Sequence, residues 1–531
     1  MTSSLSFKCV LSIVSGLLLG AGFFNSQLYM LTWFAYVPLL WALKNASCKE
    51  SYVFGFLAGL SCYVFAAYWV VDFIVLIKRY PFGKSFLLGI VFWVYSAQLV
   101  ALIAMLFRWL SLHSRFHPLI LFSVITACFY GYFPMLFSCQ LGESQSRFTL
   151  ALQAIDVVGV SGLDVLIAMV NYMLFSALFE RDGHRSTGRT KLIYGAAGCL
   201  ILGWFVYSAW ALHYWRDTIA GWDHLQVGLV QPNEKPESGR AKVFPGYSRA
   251  YPAEMDMTER LVANGAELVV WPEARYKRYF DEPGVADMIR GSVAQLKTPL
   301  LFQDMEKKQT NLRGESILRN GAAFLNAAGE PQPTYYKMKR VAFGEYVPLA
   351  RDFPELKALA EQFFGDFTQE IESGPGRVQY QTEKFSLIPL ICYEVMFPEF
   401  VANAVPDDAR GYILITLSSN GWFGETIQPY QHVHSGALRA VENRLPLIHA
   451  LNNGPSTVVL PDGSFFYEGE YHKGGGYLVS MPYSKQDGGS WFSRHPYLFS
   501  VVMGFILAAA VVSAVSSVIV SGKANRSFVS A

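Results

Sequence analysis

The stretch Ile388-Pro389-Leu390-Ile391-Cys392-Tyr393-Glu394 is an apolar run that ends on a thiol. A run this short and this apolar reads as a buried strand of a layered α/β fold. Two further runs have the same form. Leu268-Val269-Val270-Trp271-Pro272-Glu273 ends on a carboxylate, and Tyr335-Tyr336-Lys337, behind a hairpin signal, ends on an ammonium group. Layered α/β folds place their sites at strand ends. A cysteine thiol has a reference pKa of about 8.5 and attacks only as thiolate, so a nucleophilic cysteine needs a carboxylate to take its proton or a cation to stabilise its anion. Glu and Lys supply one of each, and a fixed ammonium beside the backbone N–H after the nucleophile can hold an oxyanion. Taken singly the three are ordinary: a strand-end cysteine packs in a core, and a lone Glu or Lys sits in solvent.

Around these runs, residues 222–483 carry charges, prolines and short β-type runs at 225–230, 267–271, 300–302, 322–325, 385–392, 412–417, 447–451, 457–460 and 477–480. Helix-length segments at 252–265, 284–296 and 431–443 alternate with them, which favours a layered α/β domain. The flanks are different. Seven apolar segments, at about 9–27, 29–43, 52–77, 86–107, 118–139, 149–179 and 192–214, precede the domain and an eighth, about 497–521, follows it. The expected organisation is a membrane domain over 1–215, an aqueous catalytic domain over 222–483 and a closing membrane helix over 496–521. The first segment reads as an anchor, since six more spans follow it and no small-residue cleavage site separates them.

Composition agrees with a chain largely in lipid: 52% hydrophobic, 16% charged and a mean hydropathy of +0.26. A formal charge of +2 argues against a nucleic-acid partner. With an N-terminus inside, the short cytoplasmic loops carry eleven Lys and Arg and the outer loops four, Lys78, Arg79, Lys84 and Arg147. That asymmetry is expected to put both termini in the cytoplasm and the long domain on the far side of the membrane, which in a Gram-negative cell is the periplasm. Of the seven cysteines, Cys9, Cys48, Cys62, Cys128, Cys139 and Cys199 lie in or beside apolar segments. Cys392 is the one in the aqueous stretch, without a disulfide partner or a metal-ligand set beside it. No metal or other cofactor is expected. Asp156 and Asp164, within the sixth apolar segment, read as a helix end or a packed interhelical site rather than a transport path.

Val270-Trp271-Pro272-Glu273, Tyr336-Lys337, Phe343-Gly344-Glu345-Tyr346-Val347-Pro348, Cys392-Tyr393-Glu394 and Trp422-Phe423-Gly424 resemble, in order and spacing, the nitrilase-superfamily domain of apolipoprotein N-acyltransferases. Arg439-Ala440-Val441-Glu442-Asn443-Arg444, then Asn452-Asn453-Gly454 and Ser456, fit as well. The resemblance covers nearly the whole chain. It implies an integral membrane helical bundle of about eight spans joined to an extracytoplasmic nitrilase-like αββα sandwich. It makes Glu273 the general base, Lys337 the stabilising cation and Cys392 the nucleophile, with Glu345, Tyr393 and Glu394 in support. The chain departs from the family pattern at Ser419 and Asn420, at Ala342 where a proline is usual, and at His449 where an arginine is usual.

The implied reaction moves a fatty acyl chain from a membrane phospholipid, through a Cys392 thioester, to the α-amino group of the diacylglyceryl-cysteine of a lipoprotein. Its partners are therefore a phospholipid donor and diacylglyceryl lipoproteins. Two other readings stand beside it: a membrane-anchored nitrilase-type amidase, and an inactive binding or transport protein. Tyr276, Tyr279, Phe280, Phe363, Phe364, Phe367, Trp422 and Phe423 read mostly as packing, and as an acyl-chain pocket only where they face the membrane.

Overall fold

The computed structural model describes residues 4–137, 139–180, 188–235, 245–274, 276–310, 316–349, 353, 355, 356, 358, 359, 362 and 371–529. The chain divides into two compact units, one of residues 1–71, 83–213 and 495–531, the other of 72–82 and 214–494.

The first unit is helical. Among the described residues, five helices are long and apolar enough to cross a bilayer: Leu5–Phe24, Phe82–His113, Ile155–Phe179, Gly188–Ala220 and Leu498–Val520. A sixth is obtained if Cys48–Ala66 and Val70–Lys78, bent by 57° at their junction, count as one span. Small residues let these helices approach closely. A Cβ on Gly16 would lie 2.0 Å from the Ala58 carbonyl oxygen, and one on Gly59 would lie 2.6 Å from that of Ala97.

Two expected spans are not span-length helices. The apolar segment at 29–43 forms a 3-10 helix, Ser26–Trp33, and a seven-residue helix, Val37–Leu43. Seven residues rise only about 10 Å against a hydrocarbon core of about 30 Å. The segment at 118–139 gives Pro118–Tyr132, fifteen residues, which stops at extended Phe133 before Pro134. Hydropathy counts apolar side chains and is blind to where the backbone leaves the helix. The irregular backbone at 26–36 is satisfied inside the protein, as a low-dielectric setting demands. Asn171 donates to the Thr32 carbonyl (2.9 Å) and accepts from Tyr36 N–H (2.8 Å). Gln145 accepts from Trp33 Nε1 (2.8 Å) and donates to Thr32 Oγ1 (2.6 Å). Asp156 accepts from Tyr207 Oη (2.9 Å) and Asp164 from Gly142 N–H (2.6 Å), so both carboxylates sit in interhelical contacts.

The second unit contains twelve strands among the described residues: β1 (Asp223–Gln231), β2 (Leu268–Trp271), β3 (Leu300–Thr310), β4 (Ser316–Leu325), β5 (Tyr335–Tyr336), β6 (Tyr380–Gln381), β7 (Ser386–Ile391), β8 (Tyr412–Ser418), β9 (Leu447–Leu451), β10 (Thr457–Val459), β11 (Phe465–Glu468) and β12 (Gly475–Tyr483). They form two six-stranded sheets, ordered β12-β1-β2-β3-β4-β5 and β11-β10-β9-β8-β7-β6. The central pairs β1–β2, β2–β3, β7–β8 and β8–β9 are parallel.

Alternation along the strands decides which face goes where. Val227, Leu229 and Val270 meet Leu387, Ile391 and Ile415 in a core shared by both sheets. Their sequence neighbours turn outward. Val230, Val269 and Leu300 pack on Leu261, Ile289 and Val293 of the helices Ala253–Ala263 and Pro283–Leu296. Ile388, Leu390 and Leu414 pack on Ala437 and Ala440 of the helix Gln428–Asn443. The result is a helix-sheet-sheet-helix sandwich. Strand β3 outruns its apolar start at 300–302 because β4 pairs with it antiparallel from Leu300↔Leu325 onward, extending the ladder through polar residues.

Candidate active site

Each predicted residue of the triad sits just past a strand. Glu273 follows β2 by two residues, Lys337 follows β5 directly, and Cys392 follows β7 as the first residue of a 3-10 turn, Cys392–Met396. Two of these strands belong to one sheet and β7 to the other, so the sandwich edge brings the three together. The backbone at Cys392 has φ 50°, a left-handed conformation that a non-glycine residue holds only when its surroundings fix it. At this turn the thiol interacts with the Glu273 carboxyl group.

Lys337 is almost wholly buried at 1% exposure. Its Nζ donates to Glu345 Oε1 at 2.7 Å, while Glu345 Oε2 accepts from Val341 N–H at 2.8 Å. Glu345 is therefore both counter-ion and clamp. Burial works to lower the Lys337 pKa, but Glu345, Cys392 and Glu273 outweigh it and hold the ammonium above the ordinary lysine value. Burial pushes the Glu273 carboxyl up, and the charge of Lys337 opposes it. Burial also pushes the Cys392 thiol up, with the Glu273 charge acting in the same direction. Burial thus favours the protonated form of the Cys392 thiol, which lies with a carboxyl group and a buried ammonium, an arrangement suited to proton transfer coupled to attack.

Glu394 is wholly buried. It accepts from Tyr335 Oη (2.8 Å), Met338 N–H (2.6 Å), Lys339 N–H (3.0 Å) and Ile391 N–H (2.8 Å), tying the segment after Lys337 to the strand before Cys392. Burial raises its pKa and those donors oppose the rise. Tyr393 is buried edge-on to Phe397, with centroids 4.9 Å apart.

Behind Cys392 lie His432, which the motif reading did not single out, and Asn420 and His449, where the chain departs from the family pattern. His432 Nε2 is 3.3 Å from the Cys392 carbonyl oxygen and its Nδ1 is 3.0 Å from Asn420 Oδ1. Its ring is edge-on to His449, whose Nε2 meets Ser418 Oγ at 2.9 Å. Asn320 donates to Glu273 Oε1 at 2.8 Å. Asn320 stands beside Arg319 and ahead of the apolar run at 322–325, so no local signal marked it. Among the described residues, no group of three or more His, Cys, Asp or Glu is placed to hold a metal ion.

The aromatic candidates divide. Tyr279 is core, 4.9 Å from Phe302, and Phe423 stacks on Phe73 at 4.9 Å. Phe363, Phe364 and Phe367 lie outside the described residues. The exposed apolar side chains after Lys337 are instead Phe343, Leu349, Phe353 and Leu359.

Residues 15–173 match the family model described as the apolipoprotein N-acyltransferase N-terminal domain, and residues 248–479 match that of the carbon-nitrogen hydrolases. The chain belongs to the apolipoprotein N-acyltransferase family. The match over residues 248–479 makes it a member of the nitrilase superfamily as well. It is 28% identical over 466 residues to an apolipoprotein N-acyltransferase of Geobacter metallireducens, covering 85% of this chain and 84% of the relative. It is 23% identical over 529 residues to that of Bdellovibrio bacteriovorus, covering 94% and 92%. An amidase from Nesterenkonia sp. aligns with 49% of the chain and 91% of its own length, at 20% identity and a TM-score of 0.36. An apolipoprotein N-acyltransferase family member with five or six apolar span-length helices is a multi-pass membrane protein.

Proposed function

We propose that this family member transfers a fatty acyl chain from a membrane phospholipid to the N-terminal amino group of diacylglyceryl-cysteine in lipoproteins, with Glu273, Lys337 and Cys392 as its catalytic residues. The observation that carries this reading is the thiol of Cys392, set on a left-handed turn against Glu273 with buried Lys337 beside it.

Glu273 accepts the thiol proton as Sγ attacks the ester carbonyl carbon. The tetrahedral oxyanion is held by the Lys337 ammonium and the Tyr393 N–H. As it collapses, the ester C–O bond breaks, and the proton on Glu273 goes to the departing lysophospholipid oxygen, leaving an acyl thioester on Cys392. The neutral α-amine of the acceptor then attacks the thioester carbon. Glu273 takes the amine proton and returns it to the leaving sulfur, so the enzyme is regenerated and no net proton is consumed. Glu345 keeps Lys337 charged and in place, and Glu394 holds the two loops in register. Tyr393 contributes through its backbone amide and its packed ring.

The arginine and lysine asymmetry of the short loops supports a periplasmic catalytic unit with both termini cytoplasmic, where lipoprotein N-termini are exposed at the membrane surface. The deciding experiment incubates purified protein with phospholipid and a diacylated lipopeptide and weighs the peptide's N-terminus. A gain of one amide-linked acyl chain is expected. Release of free fatty acid with an unmodified peptide would make the protein a hydrolase instead.

A further inference from the structure

The base is held by a second set of buried amides. Asn320 lies on β4, paired with Met305 of β3 on one side, while its neighbour Gly321 pairs with Tyr336 of β5 on the other. Both Asn320 and Gln303 are only 2% exposed. Gln303 Nε2 donates to Asn320 Oδ1 at 2.8 Å, and Asn320 Nδ2 donates to Glu273 Oε1 at 2.8 Å. The Asn320 carbonyl accepts from Lys337 N–H, also at 2.8 Å. One residue therefore touches the carboxylate by its side chain and the backbone of the cation by its main chain.

We propose that Asn320, locked in one amide orientation by Gln303, is a positioning residue that dedicates one oxygen of Glu273 to a permanent hydrogen bond and presents the other to the Cys392 thiol. The chemistry follows from donor and acceptor inventory. Gln303 offers an N–H, so Asn320 must turn its oxygen to it and its own N–H groups to Glu273. A flipped amide would set oxygen against carboxylate. An N–H donated to a carboxylate favours the ionised form. That is the form Glu273 needs in order to accept a proton, and it opposes the burial that pushes this group up. The same strand sets the spacing from base to cation, because the Asn320 carbonyl anchors the residue that carries the ammonium.

This inference rests on Glu273 being the base, and the test separates the two. Full-length protein in detergent is mixed with micelles of a dipalmitoyl phospholipid, without acceptor peptide, and the rate of acyl addition to Cys392 is followed by intact mass from pH 5 to pH 9. Asn320→Leu is expected to move the acid limb of the profile up by about one pH unit, so that it is about tenfold slower below the limb and approaches the parent rate well above it. Gln303→Leu, which leaves Asn320 free to flip, should move the limb in the same direction by less, and it decides the matter alone if Asn320→Leu does not fold. A rate lowered by one factor at every pH, or not lowered, would show that the amides only pack, and the inference would be wrong. Glu273→Gln runs alongside. If it acylates Cys392 at the parent rate, the assignment of the base fails and the inference with it. If it is inert while the two amide variants keep the parent limb, the inference alone fails.

Discussion

Replacing Glu345 by Gln tests the buried charge pair with almost no change in shape. At 2.7 Å and an effective dielectric of about 20, the attraction between the Lys337 ammonium and the Glu345 carboxylate is about 6 kcal/mol. Some of this offsets the cost of burying the charges, and breaking such a pair by removing one partner leaves a net loss of about 3–5 kcal/mol. The amide cannot copy both contacts. If its oxygen accepts from Lys337 Nζ, its NH₂ faces Val341 N–H, which now donates to Glu345 Oε2 at 2.8 Å, and two donors meet. With Glu345 neutralised, the largest of the charges that oppose burial is gone, so the Lys337 pKa falls and its Nζ loses a fixed position. A mislaid oxyanion donor costs about 2.7–4 kcal/mol, or 10²–10³ in rate. Single-turnover acylation of Cys392 by phospholipid, followed by mass, should slow by that factor, while the protein still extracts from membranes as a folded monodisperse species. Glu345→Asp should recover part of the loss. A rate within about twofold of the parent, about 0.4 kcal/mol, would show that Glu345 is a turn residue and refute the argument.

Cys392→Ala should carry no acyl adduct at all, and Lys337→Met should slow adduct formation by about 10²–10³ while leaving Cys392 in place; label on any other cysteine would displace the site. A reporter active only outside the cytoplasm should be active when fused near Gly221 or Gly475 and silent near Lys523, and the opposite pattern would invert the proposed topology. Burial lowers the His432 pKa from 6.5 to about 4. The unfolded chain therefore binds this proton first on acidification, and stability present above pH 6.5 is lost as pH falls towards 4, by about 3 kcal/mol for this group. His432→Gln should flatten the pH dependence of unfolding in that window, and an unchanged slope would mean the histidine is already protonated in the fold. His449, also held well below its ordinary pKa by burial, keeps part of the slope in the variant.

The apolar strands, their alternation and the ionisable residues at their ends were legible because each is a local signal. Val230 and Leu229 declare opposite faces by position alone, and an apolar run ending in Cys392 is visible without knowing its neighbours. The ordered motifs then pointed to Glu345 and Glu394. What differed was what the motif could not specify. Three of the four hydrogen bonds that Glu394 accepts come from Tyr335, Met338 and Lys339, more than fifty residues away, while Tyr393 packs edge-on to nearby Phe397. The helix count differed for a related reason. An apolar window at 29–43 has the composition of a span, but its helix is only seven residues long, and the unsatisfied backbone finds partners on Asn171 and Gln145, over a hundred residues away.

Local sequence was enough for the class of this protein: a membrane-embedded helical region and an α/β region with a cysteine, a carboxylate and an ammonium at strand ends. Composition, periodicity and strand-end residues are properties of a few consecutive positions, and burial acts on them directly. Which amide holds Glu273, how deeply Lys337 is buried, and that Cys392 sits at φ 50° are set by long-range packing. Those facts arise when β4 is laid between β3 and β5 and the two sheets close on each other. The electrostatics of the site depend on distances of about 3 Å between residues far apart in the chain, and such distances exist only once the sandwich has formed.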